Sequence, residues 1–142
     1  AFEHLGIVAS AKVTGRRGIQ IWVPISRGPD FATVRAWVET LSKTVAAVVP
    51  ELVSWKWQKD TRGGLARLDY TQNAINRTLI APYSPRAAAG APVSAPIEWN
   101  ELDDPTLSPD GWTVRTILPR IAERGDLFAD VLRHSQDLPA LR

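Results

Sequence analysis

The sequence predicts an α+β fold in which a mainly antiparallel sheet packs with helices, and three observations carry that reading. Two short runs rich in valine, isoleucine and aromatic residues, Val8 to Thr14 and Ile19 to Ile25, flank Gly15-Arg16-Arg17-Gly18, the pattern of a hairpin closed by a glycine-bounded turn. A long apolar stripe at helical spacing follows at once. Further strand-like runs then come together and helices close the chain, whereas a parallel sheet would alternate strand and helix singly.

Taken in order, the chain opens on Ala1 within what reads as the last turn of a helix and contains no methionine, so a fragment of a larger protein is expected. In the second hairpin run Ile19, Ile21, Val23 and Ile25 share one face and Gln20 and Trp22 the other; the Gln20 face is the expected functional one. Pro29 and Asp30 are helix-entry residues, and Val34, Trp37, Val38, Leu41, Val45 and Val48 predict a helix from Phe31 to Val49 that Pro50 stops. Leu52 to Trp57 and Ala66 to Thr71 read as strands around the polar turn 60–64, with a third strand at Arg77 to Ala81. Tyr83 to Pro96, rich in proline and alanine, reads as an ordered extended excursion or a loop lying across the surface. Thr113 to Arg124, bounded by Gly125, reads as a helix, Asp126 to His134 as a second short one, and the residues after Ser135 as frayed.

The 142 residues fit one domain by size, so 1–142 is expected to be a single, partial domain. Apolar residues at 44% and charged residues at 23% place the chain among ordinary globular proteins. With no cysteine and only His4 and His134, thiolate zinc sites, cysteine nucleophiles and imidazole-rich metal sites are excluded, and any metal must be hard and oxygen-bound. No apolar run approaches the ~20 residues that span a bilayer, and the start AFEHLG has no signal pattern, so no membrane partner and a cytoplasmic location are expected. The formal charge is only +2, but most acids lie from Glu98 onward, so the middle of the chain, with Lys56, Lys59, Arg62, Arg67, Arg77 and Arg86, reads as distinctly basic.

Three segments could carry chemistry. In Val13-Thr14-Gly15-Arg16-Arg17-Gly18 a hydroxyl, two glycines and two guanidinium groups share one turn; such a turn can hold a phosphate through close-approaching amides and bidentate arginine, or it can be an ordinary solvated basic turn. In Arg67-Leu68-Asp69-Tyr70-Thr71-Gln72-Asn73 a carboxylate ends an apolar strand, suited to Mg²⁺ or Mn²⁺ or simply to capping the following turn. Arg77 to Arg86 sets cations on either side of a short strand with Tyr83 between them, suited to a nucleotide or to an edge strand guarded by charge. The six tryptophans read mostly as core, Trp55 and Trp57 included. Asp103-Asp104 before Pro105 reads as a turn.

Thr14-Gly-Arg-Arg17-Gly-Ile-Gln20, then Leu68-Asp69-Tyr70-Thr71-Gln72-Asn73, then Ile80-Ala-Pro-Tyr-Ser-Pro-Arg86, Ala91-Pro-Val-Ser-Ala-Pro and Glu98-Trp-Asn-Glu-Leu, in that order, closely resemble the bacterial DNA-repair primase-polymerases. These comprise the polymerase domain of the ATP-dependent ligase of non-homologous end joining and its stand-alone relatives, in the archaeo-eukaryotic primase superfamily. The resemblance covers nearly the whole chain and implies the C-terminal part of a primase-polymerase catalytic domain. It implies a nucleotidyltransferase that fills gaps and extends DNA ends, prefers ribonucleoside triphosphates, and uses two Mn²⁺ or Mg²⁺ ions held by three aspartates, of which Asp69 matches the third. Thr14 and Arg17 match residues that hold the triphosphate; Arg62, Gln72 and Arg86 match positions around the nucleotide and its phosphates; Gln20, Arg16 and Arg77 form a second tier. Implied partners are DNA ends or gapped DNA, an ATP-dependent ligase and end-binding repair proteins, at the nucleoid of a bacterial cytoplasm.

Two departures qualify what the resemblance carries over. Threonine, arginine and glutamine stand at Thr14, Arg17 and Gln20 where the family usually has serine, lysine and histidine; hydroxyl and cation are kept, but glutamine cannot become charged. The family's Asp-x-Asp pair does not occur in the 142 residues, so the chain alone is expected to be catalytically inactive, because one carboxylate cannot assemble a two-metal clamp. The competing readings are a non-catalytic DNA-docking module and a ligase-recruiting scaffold.

Overall fold

A computed structural model describes residues 1–141. The residues cluster into two compact units, one formed by Arg27–Leu79 with Ala1 and the chain's last residues from Pro139, the other by Phe2–Ser26 and Ile80–Leu138.

The second unit holds the sheet. Strands β1 (Ser10–Val13) and β2 (Ile19–Trp22) form the expected antiparallel hairpin, with Lys12 opposite Gln20 and Ala11 opposite Ile21. The third strand, β3 (Pro96–Ile97), pairs antiparallel with the other edge of β1, giving the order β2-β1-β3. Central β1 is therefore the most enclosed: Ala11, Lys12 and Val13 are all buried. Ala11 and Val13 join Val93, Ala95, Ile97 and Ile117 in the core, with Tyr83, Leu107, Trp112 and Ile121 packed around it.

The proline-rich segment is the principal correction in this unit, since its second half is interior where a surface excursion is expected, although Pro85 and 87–90 are exposed. Residues 92–97 are all buried. The reason is pairing: Tyr83 N–H donates to Ser94 O, Ser94 N–H to Ser84 O and Arg86 N–H to Pro92 O, folding 83–94 into a tight irregular hairpin. Proline at positions whose N–H is not needed lets such a strip fill a core. The same pairing shortens the next helix, because Val93 N–H donates to Trp112 O and Val114 N–H to Ala91 O, so α2 begins at Ile117 and runs to Arg124. Gly125 ends it as expected, at φ 73°. The short α3 (Ala129–Arg133) follows. The segment after Ser135, expected to be frayed, is held at Gln136, which donates from Nε2 to Val8 O and Pro24 O and accepts from Val8 N–H, while Ser26 N–H donates to Gln136 O; Arg142 lies outside the described residues.

The first unit is built around the long helix α1 (Phe31–Val48), capped by Asp30, whose carboxylate accepts from Thr33 N–H at 2.8 Å. Leu41, Ser42 and Ala46 are its buried positions, whereas Val48, expected on the apolar stripe, is 75% exposed. The strands expected at 52–57, 66–71 and 77–81 do not form. Only Val53 and Ala66 pair, in a parallel bridge with Ser54 N–H donating to Ala66 O and Ala66 N–H to Leu52 O. Beyond that bridge the carbonyls of Lys56 and Trp57 accept from the Arg62 guanidinium, which curls the chain into a short 3-10 turn at Lys59–Thr61. Nor are the tryptophans here core: Trp55 is 45% and Trp57 70% exposed.

Candidate active site

The hairpin turn is held by its own hydroxyl. Thr14 N–H donates to Gly18 O at 2.9 Å, and Thr14 Oγ1 accepts from the amides of Arg17 (3.4 Å) and Gly18 (3.3 Å). Gly15 is required twice over, for its φ of 70° and for its packing: a Cβ there would lie 2.7 Å from Arg86 Cγ and 3.0 Å from the Val93 carbonyl carbon. That close approach brings the stem of Arg86 onto the basic turn, so residues separated widely in sequence share one corner of the unit. Arg16 and Arg17 are exposed.

Two buried polar atoms in this unit make no hydrogen bond, Arg86 Nε and Gln20 Oε1. An unpartnered buried guanidinium N–H is costly unless an acceptor arrives, and beside a glycine turn flanked by two arginines the acceptor chemistry it suits is an oxyanion. The donor set therefore fits phosphate.

Sequence reasoning missed Lys12. It is fully buried, its Nζ donates to Ile80 O at 2.9 Å and Ser94 Oγ at 2.6 Å, and Ser94 Oγ in turn donates to Val13 O. Burial, and then the charge of Arg86, push its pKa down from 10.5 to about 8. The available signal was alternation, which puts Lys12 on the Gln20 face as its direct cross-strand partner. Tyr83, by contrast, is not free to stack on a base. Its hydroxyl donates to Asp126 at 2.8 Å, and burial followed by that bond raises its pKa to about 12.

In the other unit Asp69 ends its segment in a turn. Its Oδ1 accepts from Thr71 N–H (3.0 Å) and Thr71 Oγ1 (2.6 Å), its Oδ2 from Gln72 Nε2 (3.4 Å), and Arg67 lies 3.8 Å away. Burial works against its charge, but the bonds from Thr71 and Gln72 and the Arg67 charge outweigh burial and hold the carboxyl below its ordinary value. An ionised, part-exposed carboxylate with lone pairs to spare is a fit ligand for a hard divalent cation. Thus Gln72 is brought to Asp69 as a hydrogen-bond partner. Arg62 donates to the carbonyls of Lys56 (2.8 Å) and Trp57 (2.5 Å), leaving its other N–H groups available, and Arg77 is exposed. Asp104 accepts from Thr106, the expected turn.

A family model described as "LigD, primase-polymerase domain" matches residues 1–128. The chain belongs to this family. It is 31% identical over 138 residues to the bifunctional non-homologous end joining protein LigD of Bacillus subtilis, covering 96% of this chain and 22% of that protein. It is 31% identical over 140 residues to the multifunctional LigD of Pseudomonas aeruginosa, covering 97% of this chain and 16% of that protein. Among solved structures it is similar to the polymerase domain from Mycobacterium tuberculosis ligase D in complex with DNA, at a TM-score of 0.84 and 29% identity over 97% of this chain and 46% of that one. The chain thus spans about a fifth or less of these curated relatives and under half of the solved polymerase domain. The LigD primase-polymerase family is one of nucleotidyltransferases, and its α+β fold is the one seen here.

Proposed function

We propose that this chain contributes the C-terminal part of a single catalytic domain, 1–142, in a bacterial DNA-repair primase-polymerase that fills gaps and extends ends during non-homologous end joining. The observation that carries the reading is the family match over residues 1–128, a span that includes Thr14, Arg17, Asp69 and Arg86. The substrates are gapped or broken DNA and nucleoside triphosphates, ribonucleotides by preference. An ATP-dependent ligase and end-binding proteins are the further partners, at the bacterial nucleoid in the cytoplasm. Among the described residues no helix is long and apolar enough to cross a membrane.

Each residue's part follows from its chemistry. Asp69, kept ionised by Thr71 and Gln72, is one carboxylate for Mn²⁺ or Mg²⁺. The bound cation supplies Lewis-acid stabilisation to phosphoryl transfer. The Thr14 turn, with Arg17 and in a lesser part Arg16, presents amides and cations to the triphosphate, and Arg86 offers it the unpartnered Nε–H. Arg62 and Arg77 add positive field, Gln72 holds the Asp69 carboxylate in place, and Gln20 offers a neutral amide where the family's histidine can be charged. No Asp-x-Asp occurs in the 142 residues, so the chain alone is inactive on this reading.

The test is Mn²⁺-dependent nucleotide incorporation on gapped DNA by the full-length protein that carries this chain, beside its Asp69→Ala variant. Incorporation lost by about a thousandfold or more in the variant, with DNA binding kept, is the expected result. Equal incorporation by both refutes the metal role, and DNA binding without incorporation by either protein favours a docking module.

A further inference from the structure

Trp57 sits where packing does not need it. The residue is 70% exposed, yet one face of its ring is covered by the guanidinium of Arg67, 4.0 Å from the ring centroid. The Arg67 side chain is itself only 14% exposed and reaches on to Asp69, 3.8 Å away. The backbone beneath the ring is cinched, since one guanidinium, that of Arg62, takes the carbonyls of both Lys56 and Trp57. The indole is thus braced from behind and rooted in an ordered turn, with its front face open to solvent. Trp55 differs, because its ring leans on Tyr70 at 6.4 Å.

The surroundings are cationic. Between Leu52 and Leu68 stand Lys56, Lys59, Arg62 and Arg67 against the single carboxylate of Asp60. An open indole face backed by Arg67, in a stretch of chain rich in cations, matches a base next to its phosphate backbone, because every base has a π-face and every nucleotide a charge. A buried apolar partner would match the ring but leave the cations unneutralised.

We propose that Trp57 is a stacking platform for an unpaired nucleobase of single-stranded DNA, with Arg67 polarising and supporting the ring and Lys56 and Lys59 taking the flanking phosphates. This rests on the polymerase reading above and adds to it a specific contact to the strand. A preorganised ring loses little freedom on binding, so most of the stacking energy appears as affinity.

The experiment measures binding of a fluorescein-labelled hairpin oligonucleotide, either blunt or with a single-stranded overhang, by anisotropy with the full-length protein. Trp57→Ala is expected to weaken overhang binding about tenfold and to leave the blunt duplex unchanged, while Trp57→Phe stays within about threefold of the parent. An abasic site at the stacked position in the overhang should cost the parent protein the same factor and cost Trp57→Ala nothing more. Circular dichroism of an exposed-site variant should be unaltered. Unchanged overhang affinity in Trp57→Ala, or an equal loss on blunt duplex, overturns the proposal while the polymerase reading stands. No measurable affinity of the parent for either DNA overturns both.

Discussion

Lys12 shows how one residue's environment can be read as a pH dependence. A lysine whose folded pKa is about 8 against an ordinary 10.5 binds fewer protons folded than unfolded between those values. Stability therefore rises with pH across that window, because the unfavourable buried charge is relieved as the folded form deprotonates. Tyr83 has the opposite sign. With its pKa raised to about 12, the unfolded chain loses the proton first above pH 10 and stability falls from there. Urea unfolding at fixed temperature should show stability increasing from pH 8 to about 10, and Lys12→Met should flatten that rise even though it leaves Ile80 O and Ser94 Oγ short of a donor. At this scale the sequence was partly legible. Asp69 and Gln72 are legible from the family resemblance and meet through a hydrogen bond, whereas Lys12 lies outside every motif, and its alternation onto the Gln20 face is a signal that only its burial gives weight to.

At the scale of elements, Arg120 on α2 ties the helix to the segment after β3. Its guanidinium donates to both oxygens of Glu101, at 2.7 and 2.5 Å, and to Pro96 O at 3.1 Å, and stacks on Trp112 at 4.5 Å. Both partners are mostly buried, with side chains 12% and 20% exposed. Replacing Arg120 by lysine keeps the charge but loses the planar fork and the stack, and should lower stability by about 2 kcal/mol, read from chemical denaturation. The 3-10 turn Trp99–Asp103 that carries Glu101 closes on itself as well, since Glu98 N–H donates to Glu101. The hairpin β1–β2 and the long helix were legible because their signals are local: a glycine turn, a capping aspartate and a stripe. The first strand expected after Pro50 stops short because Arg62 takes the carbonyls of Lys56 and Trp57 that a ladder needs, and alternation in sequence says nothing about such a competitor.

For the whole molecule the total charge of +2 says little about a polyanionic partner, and the distribution says more. On the proposed reading Lys56 and Lys59 each neutralise a phosphate, so Lys56→Gln with Lys59→Gln should lower the slope of log affinity against log salt by up to about two. The measurement is a salt titration of DNA binding. Composition, motif order and hydrophobic spacing by themselves determined the class of fold, the hairpin, the long helix and the residues that mark the family, because each depends on neighbours in the chain. Only tertiary structure decided that 92–97 is core, that Gly15 must be bare to admit Arg86, that Lys12 is buried and that Trp57 is not. Burial and partner choice are settled by which segments pack together, and proline-rich strips, buried cations and exposed rings carry no local signal of the neighbours they will meet.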